Sequence, residues 1–176
     1  MSGLDLEAVL GRLEGNAVVL AAWFRGQPAG QLAARSRPDR WSDLEILQHL
    51  VYEEREDFRK RIEWTLFHPG EDWPPIDPAG WIDERRYPDE TPEVTLAAFL
   101  TERARSVAWL RELADDGRLD LAAASVHPLA GTMSVRELVA CWLAHDQLHL
   151  RQLVRNGFEA IEAWTEVPET PYAGTW

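Results

Sequence analysis

The chain has 176 residues and a formal net charge of −12, with 18 lysines and arginines against 30 acidic residues and a single cysteine, Cys141. This length is enough for one domain with its own core, and a lone cysteine excludes an internal disulfide framework. The negative charge argues against nucleic acid and anionic membranes as partners, and the lack of a signal-like start or long apolar run predicts a cytoplasmic protein.

Two helices are predicted in the first part of the chain. Between residues 4 and 26, apolar residues recur at steps of three and four, which predicts an amphipathic helix that ends at Gly26. Ser42 and Glu45 have the spacing of a capping box, in which each side chain bonds the backbone amide of the other residue. This pattern predicts a second helix over residues 42–67.

Two further helices are predicted in the second half. Thr91 is followed by a proline, which is typical of a helix start, and an apolar stripe then predicts a helix over residues 92–116. A second capping box at Ser134 begins the last predicted helix, which covers residues 135–156 and ends at Gly157.

Four long helices without a convincing strand or repeat predict an all-α four-helix bundle, with residues 1–176 as one domain. The segments 27–41 and 68–90 are long enough to be crossover loops, so the order of the helices around the bundle stays open. Residues 158–176 are expected to form a C-terminal extension.

The second crossover loop is rich in tryptophan and proline. Because prolines stiffen a loop and aromatic rings pack well, we expect an ordered flap on the bundle that shapes a pocket above the functional site. The alternative is that the loop simply covers one end of the core. The aromatic residues in question are Trp73, Trp81 and Tyr87.

Three histidines give the strongest functional signal. His145 and His149 are four residues apart, so their side chains share one helix face, and His49 lies on the second predicted helix. If the ring of His49 faces this pair, the three nitrogens predict a metal site that keeps a coordination position for water or substrate. The alternative is three histidines that make ordinary hydrogen bonds.

Two polar residues lie one turn from these histidines. Glu53 follows His49 by four residues and is a candidate fourth ligand, general base or hydrogen-bond acceptor, although the acidic run around it favours a solvated carboxylate. Gln152, three residues after His149, is a candidate for a hydrogen bond to a ligand or substrate, with an ordinary polar contact in the core as the alternative.

Four other polar residues are not expected to take part in the site. Asp146 points away from His145 around the helix and is expected to form a salt bridge. Cys141 is expected to be a buried, inert thiol rather than a ligand. His68 and His127 each precede a proline and are expected to be turn residues.

The segments DRWSDLEILQHLVYEE and LVACWLAHDQLHLRQL resemble the two signatures of the DinB and YfiT-like superfamily. Its members are four-helix bundles with one histidine on the second helix and a pair spaced by four on the last. The resemblance implies a divalent metal bound by His49, His145 and His149, with zinc or nickel as the first choice and iron or manganese also open. It also implies a homodimer. Some members use a low-molecular-weight thiol as a cosubstrate.

Together these patterns predict a metal-dependent enzyme that acts on a small organic substrate, through transferase, isomerase or hydrolase chemistry that is thiol-linked in some relatives. One alternative is a stress-related bundle that binds a metal or ligand without turnover. A second is a bundle whose histidines are purely structural.

Overall fold

The computed structural model describes residues 5–77, 90–127, 131–167 and 171–174, without the side chains of 162, 163 and 171. Its α-helices are α1 (Leu6–Arg25), α2 (Ala29–Ala33), α3 (Asp43–Tyr52), α4 (Phe58–Phe67), α5 (Pro92–Asp115) and α6 (Val135–Thr165). The predicted four-helix bundle is confirmed: its members are α1, the α3–α4 pair, α5 and α6. Across the described ranges, no helix combines the length and apolar character needed to cross a bilayer.

The sequence predicted one continuous second helix over residues 42–67. In the structure this helix is interrupted by a π-helical turn. This turn covers Glu53–Asp57 and separates α3 from α4. A π turn adds one residue to the helical repeat and is often found at functional sites. The consecutive residues Glu53 and Glu54 in this turn are both buried, and the apolar face resumes at Phe58.

The last helix continues past Gly157 to Thr165, so the prediction that it ends at this glycine is wrong, and the expected C-terminal extension begins as helix. Gly157 serves a different purpose. A Cβ atom at this position would lie 2.8 Å from Cη2 of Trp23, so glycine here permits close approach of α1 and α6.

The expectation that the chain has no strand is also wrong. A short antiparallel hairpin joins α5 to α6, with Ala124–His127 as β1 and Gly131–Ser134 as β2, and Ala124 pairs with Ser134. Strands of four residues are too short for a period-two pattern to stand out in the sequence. After Ser134 the chain enters α6 through the predicted capping box.

The described part of the second crossover loop packs on the bundle. The indole of Trp73 is buried, donates a hydrogen bond to Oγ1 of Thr65 at 3.1 Å, and lies under the guanidinium of Arg61 at 4.5 Å. Trp81 and Tyr87 lie outside the described residues, so the expected flap stays a prediction.

The core consists of two apolar clusters with a polar layer between them. One cluster includes Leu47 and Leu50 of α3 with Leu153 of α6. The other includes Phe58 of α4 with Trp142 of α6. Beside and between these clusters lie buried polar residues of the same helices, and the candidate site is formed among them: His49, Glu53, Glu54, Asp146 and His149.

Candidate metal centre

Three histidine side chains meet in the polar layer. Nε2 of His145 lies 3.3 Å from Nε2 of His49 and 3.0 Å from Nε2 of His149. The three residues offer ligand atoms that all lie within 4.8 Å of one another. The ring of His49 thus faces the pair on α6, which is the arrangement on which the metal prediction depended.

The helices account for this convergence. His145 and His149 are one turn apart on α6, so their side chains project from the same face. His49 reaches them from α3, and its ring packs against the indole of Trp41 with the ring centroids 5.0 Å apart. The ring of Phe58 contacts His145 edge-on, with centroids 5.3 Å apart. These aromatic contacts limit how far the imidazoles of His49 and His145 can turn.

The separations of the nitrogens fit a shared cation. Two nitrogens that each lie about 2.0–2.1 Å from one ion are about 2.8–3.4 Å apart for angles between octahedral and tetrahedral. Burial lowers the pKa of His49 to about 2 and that of His145 to about 3, and it also lowers the pKa of His149. Each ring is therefore neutral at neutral pH and has a lone pair to offer a metal.

The other ring nitrogens define how each imidazole is held. Nδ1 of His149 lies 2.7 Å from Oε1 of Gln152, and since this oxygen can only accept, Nδ1 carries the proton and leaves Nε2 with its lone pair. Nδ1 of His49 and Nδ1 of His145 are buried and have no hydrogen-bond partner in the described ranges. Among the described residues, the polar contacts of these two rings are therefore made by Nε2.

Glu53 is part of the same centre. Its side chain is only 3 % exposed, so the interpretation as a solvated carboxylate is wrong. Oε1 lies 3.6 Å from Nε2 of His49, and Oε2 lies 3.9 Å from Nε2 of His145. Burial, with the nearby Asp57 carboxylate, raises the pKa of Glu53 to about 9. These contacts are not ion pairs, because burial disfavours the charged forms of the carboxyl and of both imidazoles.

A model of the DinB superfamily matches residues 12–153, which is most of the chain. The chain belongs to the DinB superfamily. No protein with a curated description matches it significantly. Among solved structures, YfiT from Bacillus subtilis is similar, with 18 % sequence identity, a TM-score of 0.75, and coverage of 89 % of this chain and 87 % of that chain. YfiT is described as a probable metal-dependent hydrolase with an unusual four-helix bundle topology. At this identity, the likeness shows a shared fold.

This DinB bundle also buries a set of charged and polar side chains beside the histidines. The sequence predicted only one part of it, a salt bridge of Asp146. The guanidinium of Arg103 donates to both carboxylate oxygens of Asp146 at 2.8 Å and to Oε1 of Glu54 at 2.8 Å. Asn16 also donates to Asp146, at 2.9 Å, and the Ser106 hydroxyl donates to Glu54 at 2.7 Å. We call these five residues the ionic network. It connects α1, α5 and α6 to the π turn, directly beside the histidines.

The remaining candidates lie apart from the histidine cluster. The predicted salt bridge of Asp146 is confirmed, with Arg103 as its partner. Cys141 is exposed, so the prediction of a buried thiol is wrong: its position on α6 lies outside the apolar face. His68 stacks on Trp64 at the end of α4, with centroids 4.0 Å apart. His127 is the last residue of β1 rather than a turn residue.

Proposed function

We propose that this chain is a metal-dependent enzyme that hydrolyses a small organic substrate, with a divalent cation held by His49, His145 and His149. The observation that carries the proposal is the convergence of three neutral imidazole nitrogens, 3.0 and 3.3 Å apart, beside a buried carboxylate. The description of YfiT as a probable metal-dependent hydrolase supports the same class of reaction. Three neutral ligands leave the full charge of a cation available for chemistry.

When bound, a divalent cation at this position lowers the pKa of a coordinated water and polarises a substrate carbonyl. Glu53 is the proton-transfer group beside the centre: burial raises its pKa to about 9 without a metal, and the charge of a bound cation would lower that pKa, so that the carboxylate could accept a proton and later return it to a leaving group. Gln152 fixes the tautomer and ring direction of His149 through the 2.7 Å hydrogen bond.

Zinc or nickel is the metal that we propose first, because imidazole ligands suit both and the Irving–Williams order favours them over iron and manganese. Iron and manganese stay alternatives, since the availability of a metal also decides which one occupies a nitrogen site.

Metal content tests the ligand set. Purified protein, reconstituted with zinc or nickel and desalted, is expected to retain one equivalent by elemental analysis, and His149→Ala is expected to retain almost none. His68→Ala is the matched control, because His68 lies outside the cluster and should leave the metal content unchanged. Less than a tenth of an equivalent in the reconstituted wild type would refute the metal centre.

Turnover by the wild type separates an enzyme from a metal-binding bundle, and Glu53→Gln tests the role of Glu53 in that turnover. The substitution keeps the shape of the side chain but removes its ability to accept a proton. We expect normal metal content and a loss of about 100-fold or more in hydrolysis of a panel of small activated esters and amides. If wild type and variant turn over all members of the panel equally, Glu53 has no catalytic role.

A thiol-linked transferase or isomerase is the finer alternative that the family resemblance implies. It is tested with low-molecular-weight thiols paired with electrophiles, in the same metal-loaded samples. Thiol-dependent turnover that is lost in His149→Ala, without hydrolysis of the ester and amide panel, would replace hydrolysis as the reaction. Metal binding without any turnover would favour the non-catalytic binding bundle.

A further inference from the structure

A groove of about 330 Å³ lies against the candidate metal centre, between the loop before α3 and the face of α6. Its lining includes Trp41, whose indole packs on the ring of His49, and Gln152, whose side chain bonds His149. Two different histidines of the centre are thus contacted by walls of the same groove. Its volume is within the range of sites for small molecules.

Two arginines line this groove, Arg40 and Arg155, and together with Arg37 outside the lining they surround the carboxylate of Glu159. Arg40 forms an ion pair with Oε1 of Glu159, Nε of Arg155 lies 3.5 Å from the same oxygen, and Nε of Arg37 lies 3.8 Å from Oε2. The carboxylate of Asp39 also lines the groove. Counted over these five residues, three guanidinium groups and two carboxylates leave a net charge of +1, although the whole chain has a formal charge of −12. Such a local field attracts an anion that the rest of the surface repels.

Arg155 is the arginine that is best placed to bind this anion. Its distance of 3.5 Å from Glu159 is longer than a hydrogen bond, and about half of its side chain is exposed. Arg40 differs, because it lies in close contact with Glu159 and is more buried. A guanidinium presents a planar fork of donors that matches the two oxygens of a carboxylate.

We propose that this groove binds the carboxylate of a small organic acid, with Arg155 as the recognition residue and with Trp41 and Ile46 in contact with the apolar part of the molecule. The inference rests on the proposed function, since it names the substrate class of the same centre. Binding of the anionic end at Arg155 places the remainder of the molecule along the wall formed by Trp41 and Gln152, next to the histidines.

Benzoate and benzamide are a matched pair of probes, because they share size and ring and differ in charge. Their dissociation constants are measured by isothermal titration calorimetry on zinc-loaded full-length protein and on the same protein after chelation. We expect benzoate to bind about tenfold more tightly than benzamide, since hydrogen bonds to a charged group are the stronger ones. This preference should persist after chelation and disappear in Arg155→Gln.

Arg151→Gln is the control variant. Arg151 is exposed one turn before Arg155 on α6, outside the groove lining, so its replacement removes the same charge and should keep the preference for benzoate. Equal affinities for benzoate and benzamide in the wild type would overturn the inference. It would also be overturned if the preference survived in Arg155→Gln, or if chelation abolished it, because benzoate would then be a ligand of the metal.

Metal content is determined on the same samples, so that the two proposals fail separately. A preference for benzoate that depends on Arg155, in protein that retains no metal after reconstitution, would support the anion groove and refute the metal centre. One equivalent of metal with no preference for benzoate would do the reverse.

Discussion

The histidine cluster and the ionic network lie side by side in the bundle, but they use their polar atoms differently. In the network, the guanidinium of Arg103 is bound by Glu54 and Asp146, and both carboxylates have further donors within the chain. In the cluster, the Nδ1 atoms of His49 and His145 have no partner among the residues that the structure describes, and the Nε2 atoms face one another.

This difference separates a structural role from a ligand-binding role. A buried polar group without a partner costs free energy, whereas a fully paired network stabilises one arrangement of helices. The network therefore fixes the packing of α1, α5 and α6 against the π turn. The cluster lies on this support with its Nε2 atoms facing one another, which is the arrangement that the proposed cation would complete.

The largest expected effect is on folding stability, from Arg103→Met. This change keeps an unbranched apolar stem but removes the guanidinium, which leaves Glu54 and Asp146 buried without their cation. Breaking a buried charge network in this way costs about 3–5 kcal/mol of unfolding free energy. Urea denaturation of metal-free protein measures it, with Arg111→Met as a control, because Arg111 pairs with Glu7 at the surface and should contribute little.

If Arg103→Met and Arg111→Met unfold at the same urea concentration, the network does not hold the helices together. The contrast between the two regions would then have no energetic basis.

Zinc binding should raise the unfolding free energy of the wild type by less than Arg103→Met lowers it. At a free zinc concentration of 100 times the dissociation constant, linkage adds about 2.7 kcal/mol to the unfolding free energy. His149→Ala should show none of this gain, while the metal-free variant should lose less stability than Arg103→Met. Thermal and urea unfolding with and without zinc measure both quantities, and an equal gain from zinc in His149→Ala would exclude His149 as a ligand.

Gln152→Leu should weaken metal binding without unfolding the protein. Loss of the hydrogen bond to Nδ1 of His149 releases the ring, and such partners typically change metal affinity by about 10- to 100-fold. Competition with a chromophoric chelator measures the affinity. Gln147→Leu is the counterpart on the same helix: it removes a hydrogen bond to Asn16 at the edge of the network, and should lower stability by about 0.5–1.5 kcal/mol without changing the metal affinity.

The smallest effect on either region is expected at an exposed apolar face of α6, where Val154, Ile161 and Trp164 are between about a third and half exposed. The homodimer that the family resemblance implies stays a prediction, and we expect this face to form its contact. Ile161→Lys should convert a dimer to a monomer in size-exclusion chromatography with light scattering, with metal content unchanged. A monomeric wild type at micromolar concentration would refute the dimer.

The helices and the histidines could be predicted because each has a strong local signal. Apolar residues at steps of three and four predict a buried helix face, and the spacing of His145 and His149 places both rings on one side of a helix. The capping boxes at Ser42 and Ser134 are present as predicted, with both reciprocal hydrogen bonds.

Apart from the salt bridge of Asp146, the ionic network was not predicted from the sequence, although two of its charged residues stand at apolar-stripe positions. Arg103 lies between Leu100 and Val107 at the steps of three and four that define the apolar stripe of α5, and Glu54 holds the equivalent position between Val51 and Phe58. A charged residue at a stripe position indicates a buried, paired charge. A search for such residues would have found both partners.

The π turn and the role of Gly157 could not be predicted, for a different reason. The π turn changes the helical repeat over only five residues, and no residue type at Glu53–Asp57 requires it. A glycine in a helix is typical of a helix end, and only the position of the Trp23 ring shows that Gly157 permits close packing instead. Both features depend on tertiary contacts.

X-ray absorption spectroscopy of the zinc-loaded protein tests the central claim most directly, because it measures the atoms around the metal. We expect three imidazole nitrogens at about 2.0–2.1 Å with the multiple-scattering pattern of histidine, and a reduced histidine count in His145→Ala. A first shell made only of oxygen atoms, or a spectrum that His145→Ala leaves unchanged, would contradict a metal centre at these histidines.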